Sequence, residues 1–103
     1  MVKLYRAMCD AELGEPLATG IFRAAAGAIE GKWFAESVQD AVIWGDYFES
    51  ITGIKNDRIV EVELSDEVAA KLFRFPRLDG IGPARFATVE QLAGATIREV
   101  QIP

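Results

Sequence analysis

The chain of 103 residues contains no histidine. Without an imidazole, histidine-dependent triads are excluded, and any proton transfer falls to Asp, Glu, Lys, Arg, Tyr or Cys. Cysteine is almost absent: Cys9 stands alone, so neither an intramolecular disulfide nor a cysteine metal cluster can form, and no metal site is expected. Cys9 lies just ahead of an expected helix start, but with no histidine to activate it, it reads as structural. Long apolar runs are missing as well. No segment approaches the roughly 20 apolar residues of a membrane helix, and the opening Met1 to Arg6 lacks the apolar stretch of a secretory signal. A cytoplasmic protein with no membrane partner is the expectation. Basic residues are the minority charge, 11 Lys and Arg against 16 Asp and Glu, for a net charge of −5. Non-specific nucleic-acid affinity comes from clustered Lys and Arg, so strong binding of that kind is not expected. There is no internal repeat, low-complexity tract or linker.

What is present suits one packed domain over residues 1–103. Half of the residues are hydrophobic and 26% are charged, enough for a single core and too little chain for two. Val2, Leu4, Arg6 and Met8 alternate with Lys3, Tyr5 and Ala7, which predicts an opening strand with Arg6 on its apolar side. Asp10 is suited to cap a short helix over 10–19, stopped by Gly20, and the alanine-rich piece 24–28 is the nearest thing to a mobile segment. Ser37 reads as the N-cap of a second helix with Asp40 in its first turn; Val38, Ala41, Val42, Gly45 and Phe48 form its inner stripe, flanked by Trp44 and Tyr47. After a turn at 53–57, residues 59–64 alternate strictly with Val60, Val62 and Leu64 inward. Ser65 or Asp66 caps a two-turn helix, 73–75 has strand character, 78–83 is turn-rich, and strands are predicted over 85–92 and 96–102 around Ala93-Gly94. The four lysines Lys3, Lys32, Lys55 and Lys71 read as solvated surface. The order is that of an α+β domain.

One stretch carries more than packing. Gly31-Lys-Trp-Phe-Ala-Glu-Ser37 joins a glycine entry, an aromatic strand and a capped helix, with Ala41 five residues after Glu36 and Trp44 eleven after Trp33. That order resembles the core motif of the ADP-ribosyltransferase fold, whose polymerase branch has a glycine, Tyr-Phe-Ala-acidic, and a second Tyr at the same offsets. Tryptophan stands here at both tyrosine positions. Arg6, following Tyr5, matches the His or Arg that the family carries on its first strand. Glu90 and its surroundings, 86–100, are similar to the late segment that bears the family's catalytic glutamate. The resemblance implies a split antiparallel β-sheet with two or three short helices and NAD held between the halves. It implies that Arg6 bonds a phosphate or ribose hydroxyl, Trp33 and Trp44 stack on nicotinamide, Ser37 orders the ribose or the glutamate, and Glu90 stabilises the oxocarbenium-like charge as nicotinamide leaves.

The implied activity is a mono-ADP-ribosyltransferase, or an NAD glycohydrolase, with a protein or nucleic-acid acceptor, as in small toxin modules and phage counter-defence proteins. The serine motif is reduced to one serine, and Thr88 replaces the extra acid of arginine-modifying members. Each residue also has a plain reading: bulky aromatics are usually core, Arg6 can serve a structural ion pair, and a glutamate at a strand end is usually solvated. A catalytically silent α+β module that binds an immunity- or inhibitor-type partner through its acidic surface stands beside the enzyme reading. An RNA 2′-phosphotransferase relative is a third, disfavoured by the scarcity of basic residues.

Overall fold

Strand alternation builds two different surfaces from the same residues. In β1 (Val2–Met8), Leu4 and Met8 are fully buried on one side of the sheet, while Tyr5 and Ala7 pack on the other. A computed structural model of the chain describes residues 1–9 and 31–101. The helix expected over 10–19, the alanine-rich piece 24–28 and Ile102 lie outside the described residues.

After β1 come β2 (Gly31–Ala35), α1 (Val38–Thr52), β3 (Arg58–Leu64), α2 (Asp66–Lys71), β4 (Phe73–Leu78), β5 (Gly82–Thr88), α3 (Val89–Leu92) and β6 (Thr96–Val100). Among the described residues the strands form one six-stranded sheet in the order β4-β5-β2-β1-β3-β6, every neighbouring pair antiparallel. This is the α+β class that the sequence predicts. Among the described residues no helix is long and apolar enough to cross a membrane.

One face of the sheet is closed. Leu4, Met8, Phe34, Val60, Val62, Leu64 and Ala87 pack there with Leu72 and Leu92, which follow or end the short helices α2 and α3. Full burial of each large apolar side chain contributes about 1.5–3 kcal/mol. The opposite face carries α1, whose Ala41 and Trp44 pack on Ala35, Ile59 and Ala84. Gly45 permits that approach: a side chain at this position would run into the Asn56 backbone oxygen and the Ala7 methyl. Trp44, expected at the flank of the inner stripe, is thus at its centre with 7% exposure, whereas Phe48 is 38% exposed.

The caps follow the sequence. Ser37 Oγ accepts from the Asp40 amide at 3.1 Å, and Gly53, at φ 75°, closes α1 by donating to Glu49 O at 2.8 Å. Ser65 caps α2 by accepting from Val68 N at 3.2 Å. Several extents change: β5 begins at Gly82, inside the stretch expected as turn, and β6 ends at Val100. The strand expected over 73–75 runs to Leu78 and forms an edge, where Pro76 removes no inner hydrogen bond. The strand expected over 85–92 stops at Thr88, because Thr88 and Gln91 form a capping box: Thr88 Oγ1 accepts from Gln91 N at 3.1 Å and Thr88 N donates to Gln91 Oε1 at 2.9 Å. Glu90 therefore lies on the one-turn α3, exposed, and shares no strand face with Phe86 and Thr88.

Candidate functional site

The sheet is least continuous between β1 and β2. β1 pairs with β3 along its length, from Val2↔Leu64 to Met8↔Arg58, and β2 pairs with β5 from Gly31↔Thr88 to Ala35↔Ala84. Between β1 and β2 the register among the described residues is Tyr5↔Ala35. Backbone groups released by such parting need other partners. Arg6 supplies one, its Nη1 donating to Trp33 O at 3.2 Å across the gap.

A cavity of about 410 Å³ opens at this place, within the size range of ligand pockets. Tyr5 and Arg6 line it from β1, Lys32 and Trp33 from β2, Trp44 and Phe48 from α1, and Asp79 from the turn between β4 and β5. Trp33 is fixed by two edge-to-face contacts, with Phe86 at 5.3 Å and 62° and with Phe73 at 6.1 Å and 74° between ring planes. Trp44 Nε1 donates to Asp79 Oδ2 at 3.3 Å. Asp79 at φ 55° and Gly80 at φ 72° are both left-handed, the conformation that an Asp-Gly pair favours in a tight hairpin turn, and Ile81 N closes the turn on Leu78 O at 3.0 Å.

Three of the five residues singled out in the sequence, Arg6, Trp33 and Trp44, thus meet on one cavity. Ser37 does not line it; its hydroxyl is used in the cap of α1. Glu90 does not line it either, although α3 follows directly on Thr88, which pairs with Gly31 on the cavity wall. Glu36, the acid of the Trp-Phe-Ala-Glu stretch, faces the other way. Its carboxylate accepts from Arg74 Nε and Arg85 Nε, both at 2.8 Å, and Arg85 Nη1 continues to Ala69 O at 3.1 Å. The hydrogen bond from Arg74 holds the Glu36 carboxyl below its usual range, against the opposing effect of burial.

Sequence reasoning missed three polar groups of the site. Lys32, expected on the solvated surface, lines the cavity. Asp79 was legible only as a turn residue, because nothing local shows that α1 delivers Trp44 to it. Tyr5 is backed by Glu61, a buried carboxylate at 6% exposure that accepts from Arg98 Nε at 2.8 Å and Nη2 at 3.4 Å. The bond from Arg98 lowers the Glu61 pKa while burial raises it; burial, followed by the charge of Glu61, raises the Tyr5 pKa. Among the described residues no three His, Cys, Asp or Glu side chains are placed to share a metal ion.

No protein-family model matches this chain, and neither the curated proteins nor the solved structures yield a match.

Proposed function

We propose that the cavity binds NAD and that the protein is an ADP-ribosyltransferase-like enzyme, cleaving the nicotinamide–ribose bond and passing ADP-ribose to water or to a macromolecular acceptor. The observation that carries this reading is the meeting of Arg6, Trp33 and Trp44 on one cavity where β1 and β2 part. Arg6 lies 27 residues before Trp33, and all three stand at positions that the resemblance marks. The parting itself fits the split sheet that the resemblance implies.

In this reading the guanidinium of Arg6, which also donates to Trp33 O, bonds a phosphate or ribose hydroxyl. Trp33 and Trp44 form walls for the nicotinamide ring. As the ring leaves, its nitrogen keeps the electron pair of the C1′–N bond, and positive charge grows on the ribose. The oxygen of water or of the acceptor then bonds C1′ and gives up its proton to solvent. A carboxylate near C1′ stabilises that charge. The resemblance gives this role to Glu90; the cavity offers Asp79, and the proposal assigns the role to Asp79.

Nicotinamide release from NAD, followed by mass spectrometry, tests the reading. Wild-type protein is expected to release nicotinamide, Arg6→Gln to weaken NAD binding by tenfold or more, and Asp79→Asn to slow release by roughly 100-fold. Glu90→Gln is expected to behave as wild type; a loss there instead would return the role to Glu90. Wild-type protein that neither binds nor cleaves NAD refutes the proposal.

A second reading is supported by α1. Ile43, Tyr47 and Ile51 lie one turn apart on its outer side with exposures of 48%, 39% and 61%, and the helix carries acids and no base. Such a surface suits a partner with a basic, partly apolar face, which is the silent-module alternative.

A further inference from the structure

Between Trp33 and Ile54 the chain carries the acids Glu36, Asp40, Asp46 and Glu49 and no Lys or Arg. Glu36 is committed to Arg74 and Arg85, but among the described residues Asp46 and Glu49 enter no ion pair. Both lie on α1. On this helix Ile43, Tyr47 and Ile51 follow one another at i, i+4 and i+8, a ridge that spans roughly 12 Å at about 1.5 Å per residue. All three are exposed, and Ile54, also exposed, continues the apolar surface past the Gly53 cap. Helical periodicity puts Asp46 and Glu49 on the flank of the ridge away from Trp44 and Phe48. The last turn holds no base, so the carbonyl end of the helix dipole adds to their negative potential.

We propose that this ridge is the docking surface for a cationic amphipathic helix of a partner protein. Charge selects the occupant. A second copy placed here about a two-fold axis would set the acids of both α1 helices against each other, and anionic lipid or nucleic acid would meet the same repulsion. An apolar stripe flanked by Lys and Arg instead covers Ile43, Tyr47 and Ile51 and meets attraction along its rim. Backbone chemistry selects the form. The N–H and C=O groups of α1 are committed within the helix, so an extended segment laid on it would leave its own groups unpaired against the ridge, whereas a helix satisfies them internally. Apolar residues repeating at helical spacing over about three turns match the length of the ridge. The docked helix lies beside the cavity, because the Tyr47 ring packs on that of Phe48 at 5.7 Å and Phe48 lines the cavity wall. The inference rests on the partner-binding reading of α1, to which it gives a class of partner, and is independent of NAD.

Fluorescence anisotropy on the whole chain with labelled helical peptides of about five turns tests it. The first peptide carries leucines along one face and lysines beside them; the second has the same composition with the leucines dispersed around the helix; the third keeps the leucine face and replaces lysine by glutamate. The first is expected to bind at least roughly tenfold more tightly than either control. Ile43→Ser with Ile51→Ser is expected to weaken it by about tenfold with the urea midpoint little changed, since both side chains are exposed. Asp46→Lys with Glu49→Lys is expected to weaken the first peptide and strengthen the third, a gain that loss of folding could not produce. Equal binding of the first two peptides, lost on that charge reversal, overturns the helix and leaves a basic partner for α1 standing. Binding that survives both sets of substitutions, or a preference of the wild type for the glutamate peptide, overturns the docking surface. A dimer in sedimentation that Ile51→Ser dissolves makes a second copy the occupant and overturns the proposal; binding of none of the peptides overturns it together with the partner-binding reading.

Discussion

Trp33 and Phe34 are neighbours in the chain and serve opposite surfaces. Phe34 is 1% exposed in the closed apolar core, among Leu4, Val60 and Val62. Trp33 stands on the other face, held edge-on by Phe86 and Phe73, and lines the cavity. The same contrast runs along the sheet. The closed face is nearly all aliphatic, whereas the face under α1 carries tryptophan, tyrosine, a buried glutamate and an aspartate. One surface is closed over its whole width, and the other combines a smaller buried cluster with the cavity.

The largest expected effect lies on the closed face. Phe34→Ala should cost about 3–5 kcal/mol in urea unfolding, while Trp33→Ala should cost less than half of that and remove a wall of the cavity. A costlier Trp33→Ala would erase the distinction between the faces. Next is the seat of α1. Gly45→Ala should destabilise by about 1–3 kcal/mol through overpacking against Asn56 and Ala7, with the near-ultraviolet dichroism of Trp44 altered as the helix is displaced.

Glu61→Gln sharpens the comparison by pH. The folded-state pKa of Glu61 is depressed, so its contribution is present above the ordinary carboxylate pKa of about 4.3 and is lost as pH falls through the lower folded value. The variant should be less stable than wild type by roughly 1–3 kcal/mol at pH 7, and the gap should narrow toward pH 3. A gap that widens in acid would mean that Arg98 does not hold the carboxylate ionised. The smallest effect is expected at the junction of β5 and α3. Thr88→Ala should cost about 1 kcal/mol of stability by removing the capping-box acceptor, read from the urea midpoint.

Much of the fold was legible where the signal is local. The alternation of 2–8 and 59–64, the serines before α1 and α2, and Gly53 all act through neighbouring residues, and the structure follows them. The end of β5 has a local mark too: Thr88-Val-Glu-Gln91 has the spacing of a capping box, which outweighs the strand-like character of 85–92. Trp44 was harder. Its helix position alone puts it near the inner stripe, and the removal of a side chain at Gly45 draws α1 close enough to bury it. Of the site, Arg6, Trp33 and Trp44 were recognisable in order along the chain. Asp79, Lys32 and Tyr5 were not, because a cavity wall is made by residues that share no sequence period.

By itself, the sequence determined which chemistry is excluded, since no folding can supply an absent histidine or a second cysteine. It also determined the α+β class and most element boundaries, because side-chain alternation and capping hydrogen bonds operate within a few residues. Only the tertiary structure decided where the sheet parts, that Trp44 reaches Asp79 across 35 positions of chain, and that Glu36 is committed to Arg74 and Arg85 on the far side. Those outcomes depend on strand register and helix seating, which sum weak interactions over the whole domain and leave no mark on any single stretch.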